Sequence, residues 1–258
     1  MTVMLERQDL VRVRKPVILI TALAWVLLAG SSATTTLPHC LAVPSGTTGL
    51  QPFTPMLFTM NPPAALATGW FLMLVAMMGP IMIPPVRHIY QRTFAGRRPR
   101  SILFFLAGYT SIWMASGVPL LTLALILSMS APQNYLPAAV VLLIAVIWQC
   151  SPFKQRCLNR CHNHRELAAF GSAADLDVLR FGLSHGLWCA GSCWPWMLLP
   201  MLLPQAHLLA MFAFTLLITS ERLERPCSPR WRPRGLGRMT RFSIAQVRTL
   251  LHATGKAA

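Results

Sequence analysis

Long apolar runs dominate the chain and alternate with shorter polar connections. A helix needs about 20 predominantly apolar residues to cross a bilayer. The two shortest runs, the fourth and sixth, cross if they extend at their ends or if the bilayer thins locally. The pattern predicts an all-α fold, a polytopic membrane bundle of about six transmembrane helices. The predicted helices are 17–33, 64–85, 101–129, 136–150, 182–203 and 205–220.

Composition supports a membrane protein and argues against a nucleic-acid-binding one. Hydrophobic residues make up 54% of the chain, charged residues only 12%, and the mean hydropathy is +0.51. An ordinary soluble domain carries about twice that charged fraction. The formal net charge of +16 favours anionic partners. Because the basic residues lie between apolar runs, we expect no nucleic acid among those partners.

The basic residues occupy alternate connections, which predicts the topology. All 23 Lys and Arg lie in 1–16, 86–100, 151–181 and the segment after Ser220. The connections 31–63, 129–135 and 200–205 contain none. Cytoplasmic loops are enriched in Lys and Arg, so both termini are predicted to be cytoplasmic. This requires an even number of crossings, as six provides.

The two ends of the chain receive separate predictions. The first apolar run follows basic residues and precedes small ones, a pattern also typical of a cleaved signal peptide. Because five further runs follow, we interpret it as an uncleaved helix. We divide the chain into a transmembrane domain, 1–221, and a basic cytoplasmic tail, 222–258. The tail is predicted to contact the anionic headgroups of the lipid bilayer.

Four potential metal ligands share one face of the fifth run. In "FGLSHGLWCAGSCWPWM", His185, Cys189, Cys193 and Met197 recur at every fourth position. A step of four advances a helix by one turn plus about 40°, so the four lie within an arc of about 120°. Thiolate and thioether ligands favour Cu(I), and thiolates also suit zinc. We predict a soft-metal site with the two cysteines as core ligands and His185 and Met197 as auxiliary ligands.

Two more groups fit such a site. In "CLNRC", Cys157 and Cys161 lie four residues apart, just after the fourth run, where they would form a cytoplasmic capture pair. In the second run, Met77 and Met78 are predicted at the same inner depth as His185 and serve as further auxiliary ligands. Cu(I) is the predicted ion, and zinc is the alternative.

Several blocks resemble a bacterial family of predicted metal-binding integral membrane proteins, sometimes labelled copper chaperones. The resemblance covers roughly Trp70 to Glu221. It implies a multi-pass protein of the cell inner membrane that binds metal. The family's fifth-helix motif usually reads Cys-x-Gly-Cys-Cys-Trp, whereas Ser192 replaces the first of the adjacent cysteines here. The matching blocks are "WFLMLVAMMGP" at 70–80, "SPFKQRCLNRC" at 151–161, "GLSHGLWCAGSCWPWM" at 182–197, and "SER" at 220–222, where the family usually has Glu-Lys.

Copper handling without catalysis is the function that these observations predict. The chain has no Gly-rich phosphate loop, Gly-x-Ser-x-Gly elbow or His-Glu-x-x-His motif, so we expect no enzyme. Handling includes delivery, sequestration or permeation, with a metal-donor or metal-acceptor protein as partner. The alternatives are a membrane subunit or assembly scaffold, and a thiol redox carrier that uses Cys189 and Cys193. Glu221 is interpreted as the ion-pair partner of Arg222 or Arg225, or else as a group that orients His185.

Overall fold

The structure is a computed structural model that describes residues 2–33, 62–130, 135–163, 166–168, 170–203 and 205–232. These residues contain α-helices and short 3₁₀ turns but no strand, which confirms the predicted all-α class. The predicted connection 31–63, the cysteine at position 40 and the tail beyond 232 lie largely or wholly outside the described residues. The helices are α1 (Thr2–Ala33), α2 (Pro63–Met78), α3 (Ile83–Arg92), α4 (Arg98–Ser130), α5 (Leu136–Cys150), α6 (Pro152–His162), α7 (Gly171–Leu198) and α8 (His207–Arg222).

The second predicted helix is broken, so the expectation of one continuous helix over 64–85 is wrong. The chain leaves α2 at Gly79, makes a 3₁₀ turn over Pro80–Met82 and enters α3 at an angle of 61°. Proline has no N–H to donate, and its ring clashes with the preceding turn of an α-helix. Pro80 therefore explains why the helix is redirected inside an uninterrupted apolar run.

A second bend separates α5 from α6 and sets the direction of the predicted capture pair. The two helices meet at an angle of 65°. Ser151 caps α6, because its hydroxyl accepts a hydrogen bond of 3.1 Å from the backbone N–H of Lys154. The bend lets the short polar helix α6 fold back against α7, where both cysteines of α6 are buried.

Several helices have the length and composition to cross a membrane. Val11–Gly30 and Ala95–Ser130 qualify alone, and the two bent pairs raise the number to four if each pair is one span. The outer face of α1 exposes Leu19, Leu23 and Val26, and α5 exposes Leu143 and Ile147. Contiguous apolar surface of this kind is rare on soluble monomers. The predicted count of six crossings stays a prediction.

Glycines allow α4 and α7 to pack closely at the centre of the molecule. A Cβ atom at Gly182 would lie 2.3 Å from the carbonyl oxygen of Phe105. A Cβ atom at Gly108 would lie 2.7 Å from the carbonyl oxygen of Leu179. Small residues let helix backbones approach in membrane proteins. This contact fixes α7, which carries the predicted ligand face, against α4.

Candidate metal centre

The ligand face of α7 points into the protein interior. His185, Cys189, Cys193 and Met197 are all buried. The Cys193 thiol donates a hydrogen bond of 3.0 Å to the backbone carbonyl of Cys189. The two thiols also lie within hydrogen-bonding reach of each other. The structure thus places two soft donors side by side in a dry environment.

Two residues that the sequence analysis missed complete the surroundings of these thiols. The Tyr109 hydroxyl on α4 lies 3.3 Å from Cys189 Sγ. The Arg222 guanidinium, at the end of α8, reaches the thiols of Cys161 and Cys189 and lies close to Cys193. The only sequence signal was the "SER" block, which contains Arg222 but gives no reason to connect it with the cysteines. Tyr109 had no signal, because it lies 80 positions from Cys189.

The α6 cysteines meet α7 at two different points. Cys161 is in electrostatic contact with Cys189. Cys157 packs against Gly191, where an added Cβ atom would lie 3.1 Å from its sulfur. Burial raises the pKa of the Cys161 thiol to about 11 although Arg222 opposes the shift, and burial also raises the pKa of the Cys157 thiol. Both thiols are therefore protonated at neutral pH, and a metal that binds them must displace a proton.

His185 lies among aromatic rings, beside a cleft. Its ring centroid is 5.8 Å from that of Phe181 and 6.0 Å from those of Phe105 and Tyr109. It lines the cleft, and one helical turn separates it from Cys189. The cleft has a volume of about 360 Å³ and is lined by Arg160, Asn163, Phe181, Ser184, His185 and Trp188.

The predicted methionine ligands are buried on two different helices. Met197 lies one turn beyond Cys193 on the same helix. Met77 and Met78 belong to α2, which packs mainly against α1, α4 and α8. The cysteines instead lie on α6 and α7. Met197 therefore lies one helical turn from the thiol pair, and the two α2 methionines enter the same hydrophobic core from another helix.

A buried ion pair joins the helices around the centre. Lys154 Nζ lies 2.8 Å from Glu221 Oε2, and both side chains are almost completely buried. The Gln149 side chain hydrogen-bonds to both of them and accepts a bond of 3.0 Å from the Trp196 indole. Glu221 therefore pairs with Lys154, and not with the neighbouring arginines as the sequence analysis expected. The network ties α5, α6, α7 and α8 together.

The described residues form a thiol pair and not a complete polydentate cage. Within them, no three His, Cys, Asp or Glu side chains are grouped closely enough to hold one metal ion. What the structure brings together is Cys189 with Cys193, Cys161 nearby, and Arg222 and Tyr109 against the sulfur atoms. Chemically, this is a buried dithiol beside one fixed cation.

Comparison with known proteins identifies the family. The model of a family named PpoB2 and described as a copper chaperone matches residues 67–240, more than half of the chain. No curated protein and no solved structure matches the chain. The matched range includes all eight predicted ligand residues. The family resemblance predicted from the sequence blocks is confirmed, and the chain belongs to the PpoB2 family of copper chaperones.

Proposed function

We propose that this protein binds Cu(I) between the thiolates of Cys189 and Cys193 and passes it to a partner protein. The buried, adjacent thiols of these two residues carry the proposal. Thiolate ligands favour soft ions such as Cu(I), although they also suit zinc, and the thiolate is the form that binds metal. The copper chaperone family supports delivery over sequestration or permeation.

The other predicted ligands take roles that follow from their positions. Cys161 interacts electrostatically with Cys189, and in this scheme copper moves between them by ligand exchange, in which one copper–sulfur bond forms as another breaks. Cys157 extends the path along α6. His185 receives the ion at the cleft, and Met197 offers a neutral thioether beyond the pair. Met77 and Met78, on α2, are further auxiliary ligands in this scheme.

The proposal places the site in the cytoplasmic half of an inner-membrane protein. Exposed apolar faces on α1 and α5 support contact with lipid, and the basic connections support a cytoplasmic location for both termini. The basic tail would add contacts to anionic headgroups. Copper would then reach the dithiol from the side on which α6 and the cleft lie.

Zinc is the competing ion, and it requires more ligands than the thiol pair supplies. Structural zinc sites are almost always four-coordinate and tetrahedral. Such a site would need two of His185, Cys157 and Cys161 to converge on the thiol pair. If Cys157 is one of them, α6 would have to shift along α7, because Cys157 packs against Gly191.

Copper content of the detergent-purified full chain tests the proposal. Cys189→Ser and Cys193→Ser should each lower Cu(I) occupancy steeply, and the double variant should abolish it. His185→Ala should have an intermediate effect and Met197→Leu a partial one, because these ligands are neutral and replaceable. Cys227→Ser is the matched control, since this cysteine is exposed.

X-ray absorption on the copper-loaded protein identifies the ion and its ligands. A Cu(I) edge with two or three sulfur neighbours supports the proposal. Equal metal in the wild type and the double serine variant would reject the thiol pair as the site, and a four-coordinate zinc edge would reject the ion.

A further inference from the structure

Arg222 places a permanent positive charge inside the thiol cluster. Its guanidinium reaches Cys161 and Cys189 and donates a hydrogen bond of 3.3 Å to the Ser192 hydroxyl. Its Nε is buried and makes no hydrogen bond to the described part of the chain. A guanidinium is never deprotonated in proteins, so this charge is present in every state of the site.

This cation has no carboxylate to neutralise it within the residues that the structure describes. The adjacent Glu221 is paired with Lys154. The backbone holds Arg222 in place, because its carbonyl accepts a hydrogen bond of 3.0 Å from His162 Nε2 on α6. A partly buried charge without a carboxylate partner is costly, and sulfur anions are the nearest groups able to compensate it.

We propose that Arg222 is the built-in counter-ion of the metal–thiolate unit and makes the site selective for monovalent soft cations. This inference rests on the metal-binding function proposed above. Two thiolates with Cu(I) carry a net charge of −1, and the guanidinium brings the total to zero. Two thiolates with a divalent ion are already neutral, so Arg222 would remain uncompensated. The protein interior penalises that second arrangement.

The protons and charges balance at each stage. On metal binding, Cys189 and Cys193 each release one proton to solvent while copper stays in its Cu(I) state. The guanidinium then donates charge-assisted hydrogen bonds to thiolate sulfur, which are stronger than bonds to a neutral thiol. Cys161 remains a neutral thiol in this scheme. If it bound as a third thiolate, the charge balance would shift toward divalent ions.

The test compares ions of different charge on the full chain in detergent. Arg222→Gln removes the charge and keeps polar bulk. We expect its affinity for Cu(I) and Ag(I) to fall at least tenfold relative to wild type, and its affinity for Zn(II) and Cd(II) to stay equal or rise. Arg222→Lys should retain most of the preference for monovalent ions. Arg225→Gln is the matched control, because that arginine is exposed three residues further along.

Each outcome separates this inference from the proposed function. A wild type that binds none of the four ions removes the proposed function itself. An Arg222→Gln variant that binds copper with the wild-type preference, or that loses all four ions equally, overturns the inference alone.

If Arg222→Gln does not fold, Ser192→Ala removes only the hydroxyl that accepts a hydrogen bond from the guanidinium. A weaker shift in the same direction then supports the inference, and an unchanged preference overturns it. Cys161→Ser should leave the preference for monovalent ions unchanged. A stronger preference for monovalent ions in this variant would show that Cys161 binds as a third thiolate and would overturn the charge balance of two thiolates with Arg222.

Discussion

The hydroxyl of Tyr109, on α4, meets the thiol of Cys189. It lies 3.3 Å from Cys189 Sγ in a completely buried environment. When the sulfur is a thiolate, the hydroxyl is a donor to it, and hydrogen bonds to charged groups contribute about 1.5–3 kcal/mol. In the copper-binding function proposed above, Tyr109 would therefore stabilise the thiolate of Cys189 without being a ligand.

Removing this hydroxyl should weaken copper binding and leave the fold intact. Tyr109→Phe keeps the ring that packs against Phe105 and His185. We expect Cu(I) affinity to fall roughly tenfold, which is about 1.4 kcal/mol, as measured by competition with a chromogenic Cu(I) chelator. Tyr135→Phe is the control, because its hydroxyl is exposed and bonds only to Gln205 among described partners. Equal affinities for the two variants would show that Tyr109 acts through packing alone.

Sequence reasoning succeeded at the residue scale where helical spacing decides the outcome. The interval of four places Cys189 and Cys193 on one face of any helix, and the structure buries that face. Arg222 and Tyr109 could not be predicted in the same way. They reach the thiols through packing of α8 and α4 against α7, and spacing within a helix holds no information on contacts between helices.

At the scale of the elements, the site depends on how closely α4 approaches α7. Gly182 lies against the backbone of Phe105, one turn before His185 begins the ligand face. A methyl group there must push the two helices apart, because the contacting atoms belong to the backbone and cannot rotate away. The displacement would also move Tyr109 relative to Cys189.

Gly182→Ala should consequently lower both stability and copper affinity. Overpacking of a close contact costs about 1–3 kcal/mol, so the thermal midpoint in detergent should fall measurably. Circular dichroism at 222 nm follows the melt, and chelator competition follows the affinity. Gly96→Ala is the control, since no atom lies within 4 Å of its added Cβ. If both variants melt together, the close approach of α4 and α7 does not support the site.

The bends between elements show a limit of hydrophobic patterning. The run 64–85 is apolar throughout, so periodicity could not reveal that α2 and α3 meet at 61°. The Gly79–Pro80 pair was the available signal, because proline interrupts the backbone hydrogen bonds of a helix. The bend between α5 and α6 was easier to anticipate, since the sequence changes there from apolar to basic.

At the scale of the whole molecule, the start of the tail is not separate from the helices. The backbone N–H of Arg232 donates a hydrogen bond of 3.1 Å to the carbonyl of Cys150. The Asn159 side chain donates one of 2.7 Å to the carbonyl of Cys227. Charge patterning marked 222–258 as one basic segment, and it could not show that the first residues of that segment pack along α5 and α6.

The distribution of charge makes a prediction about the orientation of the whole chain. Every Lys and Arg lies in alternate connections, and in membrane proteins such residues are enriched in cytoplasmic loops. Fusions after Arg98, Arg165 and Ala258 should therefore show activity only with a reporter that functions in the cytoplasm. Fusions at Thr47, Gln133 and Gln205 should report the outer side.

This experiment also distinguishes six crossings from a smaller number. The structure alone identifies two helices, or four counting bent pairs, that are long and apolar enough to cross. The pair α7 and α8 falls outside that set and carries the thiol pair and Arg222.

With six crossings, the fusion at Gln205 should report the outer side, and the fusions on either side of it, at Arg165 and Ala258, should report the cytoplasm. A cytoplasmic signal at Gln205 would show that α7 and α8 do not cross, and an outer signal at Ala258 would reject an even number of crossings. In the first case, the dithiol would lie in a cytoplasmic layer on the membrane and not within it.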